Sequence, residues 1–149
     1  MSVEGPISAL IYDLKGELVL QYLCLICAEK VMEQMPRADA DKHFEEYREF
    51  TDAIRQSGHY LGCNRLLPPD AATTVRVRNG RVSVTDGPWI ETKDQLGGYY
   101  LIEARDLNEA IQVASRIPGA KFGCVEVRPV AEDLQTLQAL PIVAPESAR

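Results

Sequence analysis

The 149-residue chain has no long hydrophobic run: its longest unbroken apolar stretch is Tyr22 to Ala28, far short of the roughly 20 residues that a membrane-spanning helix needs. No membrane partner is therefore expected. It also has no surplus of positive charge. With 22 acidic residues against 16 basic ones the net charge is -6, which repels phosphate backbones, so a nucleic-acid partner is not expected either. There is no second CxxC and no histidine pair to complete a zinc site around Cys24 and Cys27, and metal binding loses its usual sequence support. The first residues, Met1 to Pro6, contain an acid and neither a basic cluster nor a long apolar region, so a secretory leader is not expected and the cytoplasm is the default. No cofactor motif, internal repeat or low-complexity tract is present.

What the chain does have is an ordinary globular balance, 46% hydrophobic and 26% charged, at a length that suits one domain. Cys24 and Cys27 fall in a continuous apolar run typical of a buried strand, not on a loop or helix start where a thiolate is stabilised. Residues three apart on a strand point to opposite faces, so these thiols read as structural.

The apolar stretch Gln21–Cys27 predicts a strand buried on both faces in the middle of a sheet. From Asp39 or Asp41 to Ser57, the residues Phe44, Tyr47, Phe50 or Thr51, and Ile54 recur at helical spacing, with Lys42 and Glu46 paired four apart on the wet side and Gly58 as the stop. His59 to Leu67 is a second strand, ended by Pro68-Pro69-Asp70. Thr73–Arg78, Asn79-Gly80 and Arg81–Asp86 predict a hairpin with a two-residue type I′ turn, which sets Val77 opposite Val82, Val75 opposite Val84, and Thr73 opposite Asp86. Gly97–Ala104 is another strand apolar on both sides. Asp106 caps a helix carrying Leu107, Ala110, Ile111, Ala114 and Ile117, and Gly123–Val130 alternates as a strand with one wet face. Leu134, Leu137 and Leu140 suggest a short helix before a loose tail.

This order is the split βαβ plan of a ferredoxin-like α+β fold with an added hairpin. Two helices cover only one face of a four-stranded sheet, yet Leu23 and Leu25, like Cys24 and Ile26, leave neither face of the first strand polar. A homodimer packed through the helix-free faces is the expected solution.

Chemistry concentrates at the end of the hairpin, in Asp86-Gly87-Pro88-Trp89-Ile90-Glu91-Thr92-Lys93, a loop held by a rigid sheet. This segment, with Ala72-Thr73-Thr74-Val75-Arg76, Gly97-Gly98-Tyr99-Tyr100 and Val125-Glu126-Val127-Arg128-Pro129-Val130, resembles the YCII-related family, specifically its DGPF-domain branch, with Trp89 where that branch usually has Phe. The resemblance covers roughly residues 21 to 130, leaving 1–20 as an N-terminal extension and 131–149 as a short helix and tail. It implies a ferredoxin-like fold that dimerises as an α/β barrel. It further implies kinship to small ring-modifying enzymes whose pocket between helix and sheet holds a His and an Asp as an acid/base pair. The family's helix histidine aligns with Tyr47, not His43, so that dyad is incomplete here. Members of the branch are often encoded beside extracytoplasmic-function sigma factors, which keeps a regulatory alternative open.

Asp86 has two readings: the first residue of an Asp-Gly-Pro turn, or a base or hydrogen-bond acceptor. Lys93 is either a solvated surface lysine or the group that holds an anion. Tyr47, Arg76, Trp89, Glu91 and Tyr99 are the accompanying candidates for substrate binding, with Tyr47 as a pocket wall and Trp89 and Tyr99 suited equally to a pocket wall or a dimer contact. His43, near Tyr47 and Glu46, reads first as a solvated imidazole, and His59 ranks below it. Two functions follow: a small-molecule-binding or lyase- or isomerase-type enzyme with Asp86 and Lys93 at its centre and no cofactor, or a non-catalytic dimer that meets a sigma factor through the acidic first helix.

Overall fold

A computed structural model describes residues 11–12, 15–28 and 34–131. The elements run β1 (Ile11–Tyr12), β2 (Leu18–Ala28), α1 (Arg37–Gln56), β3 (Tyr60–Arg65), β4 (Thr73–Arg78), β5 (Arg81–Asp86), β6 (Gln95–Ala104), α2 (Leu107–Ala114) and β7 (Gly123–Pro129). The short helix expected over Leu134–Leu140 lies outside the described residues. No helix among the described residues is long and apolar enough to cross a membrane.

β2 is flanked by β6 on one side and β7 on the other, and β3 pairs with the far edge of β6, all antiparallel. The order β7-β2-β6-β3, with α1 and α2 as the crossovers, is consistent with a ferredoxin-like α+β fold. β2 starts three residues earlier than the apolar run alone suggests, because Leu18 and Val19 pair with Tyr12 and Ile11 of β1 across a turn that Gly16 makes at φ 78°.

Alternation along the strands sorts the core. Tyr22, Cys24 and Ile26 of β2, with Tyr100, Ile102 and Ala104 of β6, are buried beneath the helices, where they meet Phe50 and Ile54 of α1 and Ala110 and Val113 of α2. Val125 and Val127 of β7 pack on the same side. The intervening residues Leu23, Leu25, Tyr99 and Leu101 stand on the helix-free face and are half-buried. The structure thus separates Cys24, fully buried, from Cys27 on the opposite face, as the period of a strand requires.

The hairpin forms with the expected register: Thr73 faces Asp86, Val75 faces Val84 and Val77 faces Val82. Asn79 at φ 53° and Gly80 at φ 74° supply the two left-handed residues of a type I′ turn. Gly80→Val places a β-branched residue in that conformation and is expected to cost about 1–3 kcal/mol, readable as a lower urea midpoint. The ribbon is a two-stranded sheet of its own, and all four valines are more than half exposed.

α2 starts as its sequence signature implies, with the Asp106 carboxylate accepting the Glu109 N–H at 2.8 Å. Glu109 reaches back one residue further than a standard capping box and accepts the Arg105 backbone N–H at 2.8 Å and its guanidinium at 3.0 Å. Its other oxygen meets His59 Nε2 at 2.9 Å, and His59 Nδ1 lies 2.6 Å from Ser57 Oγ. His59 is therefore a brace between the end of α1, the entry to β3 and the start of α2. Burial opposes the Glu109 charge, but His59, the Arg105 amide and the Arg105 guanidinium overcome it and hold the carboxyl down at about 2, against an ordinary 4.5. A carboxyl whose folded pKa is depressed adds stability above its unfolded pKa and loses it as pH falls toward the folded value. Allowing for solvent screening, the contribution is on the order of 1–2 kcal/mol. Urea titrations at about pH 7 and about pH 3 should show wild type losing more stability on acidification than Glu109→Gln.

Candidate ligand cavity

A cavity of about 380 Å³ opens where β2 ends, β6 begins and β3 ends, beneath the first turns of α1. Its wall is mainly apolar: Ile26 and Ala28 from β2, Phe44 from α1, Leu96 from β6, and Leu66 to Pro69 from the connection that leads into the hairpin. The glycines Gly97 and Gly98 keep the β6 side low. A Cβ at Gly98 would stand 2.9 Å from the Asn64 carbonyl oxygen, so only glycine lets β3 and β6 close at this point.

Polar groups enter the wall at a few places. α1 contributes His43 and Tyr47 one turn apart. Contrary to the solvated imidazole expected from the sequence, His43 is only 6% exposed, with its ring edge-on to Tyr47 at 4.9 Å and to Phe122 at 5.2 Å. Its Nδ1 lies 3.9 Å from Glu46 Oε2, while its Nε2 is buried and has no hydrogen-bond partner among the described residues. Glu46 is held by Lys121 at 3.2 Å; the expected Lys42–Glu46 pairing gives way to this tertiary contact. Burial lowers the His43 pKa; Glu46 opposes that and Lys121 reinforces it. The ring is thus neutral around pH 7, with one nitrogen to accept a proton and one to donate.

The Tyr47 hydroxyl accepts the Gly119 N–H at 3.0 Å, which leaves its own proton to donate. Burial pushes its pKa up to about 12 despite the Gly119 hydrogen bond, so Tyr47 acts as a neutral donor. Its ring stacks on Tyr100 at 6.4 Å. Thr51 Oγ1 donates to the Tyr47 carbonyl at 2.8 Å, so in the 2.7 Å contact between Thr51 and Tyr100 the tyrosine is the donor. At the rim, Asn64 Nδ2 donates to Tyr99 Oη at 2.7 Å. The Arg65 guanidinium lies over the Phe44 ring, 4.9 Å from its centroid, which keeps a cation beside apolar wall.

Of the sequence-derived candidates, the structure brings Tyr47 and Tyr99 into this wall. Asp86 and Arg76 stand on the exposed hairpin, Trp89 is 74% exposed, and Glu91 and Lys93 follow it on the surface; none of these five lines the cavity. Sequence reasoning ranked His43 low and did not name Arg65 or Gly119. A signal for His43 was present, since positions 43, 47, 50 and 54 form as regular a helical stripe as 44, 47, 51 and 54.

A family model described as "YCII-related domain" matches residues 20–133. The chain is also 46% identical over 69 residues to an uncharacterized protein of Rhizobium meliloti (strain 1021), a match covering 45% of this chain and 56% of that protein. The alignment thus spans little more than half of the relative's own length.

Proposed function

The chain belongs to the YCII-related family, and on that premise we propose that it binds a small, largely apolar molecule in the cavity beneath α1 and performs lyase- or isomerase-type proton transfer on it. The observation that carries this reading is the buried, unpartnered Nε2 of His43 in the cavity wall. A buried polar atom without a partner is costly unless a ligand supplies one. His43 accepts or returns the proton, Tyr47 donates a hydrogen bond from one turn further along, and Arg65 holds an anionic end at the rim. Asp86 and Lys93 keep a part in this reading only as groups delivered by the loop after the ribbon, because in one chain they stand outside the cavity wall. The segment Asp86–Lys93 further supports placement in the DGPF-type branch, as a DGPW variant. We also read the chain as a homodimer packed through Leu23, Leu25 and Leu101; a monomeric mass in sedimentation at micromolar concentration would overturn that part.

A sigma-factor partner docking on the acidic side of α1 would need no cavity, and the lining described above favours ligand binding over it. The test is a thermal-shift screen of small metabolites, followed by affinity measurement for the hits on wild type and on His43→Gln. Loss of about one hydrogen bond's worth of binding, roughly tenfold or more, is expected in a variant of unchanged melting temperature. Undiminished affinity would place the ligand elsewhere.

A further inference from the structure

The antiparallel register of β2 and β7 sets Cys27 directly opposite Cys124. Directly opposed residues in such a pair have Cα atoms about 4.5–5.5 Å apart, within the 4.4–6.8 Å that a disulfide spans. Both side chains lie on the helix-free face at the Ala28 end of β2, past Leu23, Leu25 and Leu101 along the strands, and Cys124 is near enough to Cys27 to help raise its pKa. The backbones are close here: a Cβ on the neighbouring Gly123 would overlap the Cys27 carbonyl oxygen, so the sequence has a glycine where β7 is drawn against β2. The remaining cysteines are placed differently. Cys24 is fully buried on the other face, and Cys63 packs toward the core beside the Tyr60 hydroxyl at 3.6 Å.

The pair is also asymmetric. Cys124 is exposed while Cys27 is half-buried, and burial, with the neighbouring Cys124 and Glu126, raises the Cys27 pKa. The accessible sulfur is the one that meets an oxidant, and the sheltered one stays a thiol beside it. We propose that Cys27 and Cys124 form a dithiol modification site at which a hydroperoxide converts two thiols into one disulfide joining the edge strand β7 to the central strand β2. In the first step the Cys124 thiolate attacks the peroxide, the O–O bond breaks, and Cys124 becomes a sulfenic acid as water or an alcohol leaves. In the second, the Cys27 sulfur attacks Cys124 Sγ, the S–S bond forms, the S–O bond breaks, and hydroxide departs as water with the Cys27 proton. Two thiols lose two electrons and the peroxide gains them. Cys27 sits between Ile26 and Ala28, both in the cavity wall, so the link is made immediately behind that wall.

The full chain, fully reduced, is exposed to hydrogen peroxide, quenched by alkylation, digested without reductant and mapped by mass spectrometry. The expected product is a Cys27–Cys124 linked peptide, two hydrogen atoms lighter than its parts, in most molecules and reversed by dithiothreitol. Cys24 and Cys63 should be alkylated only after denaturation. In Cys27→Ser, with an unchanged circular dichroism spectrum, Cys124 should stop at a sulfenic acid that dimedone traps. A Cys124 that resists peroxide in the native protein, that proceeds to sulfinic acid with Cys27 still free, or that links to Cys124 of another chain would overturn the proposal.

Discussion

Ile102→Ala is expected to lower the unfolding free energy by about 2–5 kcal/mol, the range for emptying a fully buried isoleucine site. Ile102 is fully buried. It lies on β6 with Tyr22 of β2 opposite it on one side and Tyr60 of β3 on the other, so two rigid aromatic neighbours limit how far the site can collapse. Against a total stability of about 5–15 kcal/mol for a domain of this kind, the loss is a large fraction. Urea unfolding followed by circular dichroism checks it, and a loss below about 1 kcal/mol would mean that the sheet closes over the gap with little residual cavity.

Gly119→Val is the second large effect, and it reaches the cavity. Gly119 is buried in the tight turn Pro118–Lys121, where an added Cβ would stand 2.5 Å from Tyr47 Oη and 2.9 Å from Ile26 Cγ2. Valine therefore forces Tyr47 out of its seat, breaks the Gly119 N–H to Tyr47 Oη bond and intrudes into the wall. Overpacking of this kind costs about 1–3 kcal/mol, and the lost hydrogen bond adds about 1 kcal/mol. The outcome to look for is a lower melting temperature together with loss of binding for hits from the metabolite screen. Tyr47→Phe, which removes the hydroxyl and leaves the space, should weaken binding while keeping most of the stability. If Gly119→Val bound those hits as wild type does, the turn would not be part of the site's architecture.

The hairpin was legible to the residue in the sequence because its information is local: Asn79-Gly80 fixes the turn, and the turn fixes every pair up to Thr73 and Asp86. The two central strands were legible for a different reason, since apolar residues on both faces of Gln21–Cys27 and Gly97–Ala104 leave few other places for them. The helices were legible as helices, and Phe50, Ile54, Ala110, Ala114 and Ile117 are buried as their stripes imply, but each stripe also took in outward residues. In α1 the large apolar Phe44 is 48% exposed while His43 takes the inward position. In α2, Leu107 and Ile111 are each 48% exposed while Val113 is buried. Hydrophobic size marks a stripe only to within a neighbouring position, and here the inward-facing residue is a histidine that composition would send to solvent. The cavity was legible only in Tyr47 and Tyr99 and in the pocket between helix and sheet that the family resemblance implies. Its wall is drawn from α1, three strands, the connection into the hairpin and the Gly119 turn, and no local pattern announces that these meet.

The ribbon β4–β5 carries a consequence for how the molecule opens. Its backbone ladder is complete in itself, and its valine face gains nothing from the main sheet. Cooperative units that bury little apolar surface open at a free energy well below that of global unfolding. The ribbon's amide protons should therefore exchange with solvent while those of β2 and β6 remain locked, and the exposed bonds after Arg78 and Arg81 offer a protease its first cut. A chain nicked there keeps both halves together, because β2 and β3 from the N-terminal half stay hydrogen-bonded to β6 from the C-terminal half, as β2 does to β7. The fold tolerates a break in its most conspicuous hairpin without losing the scaffold that shapes the cavity.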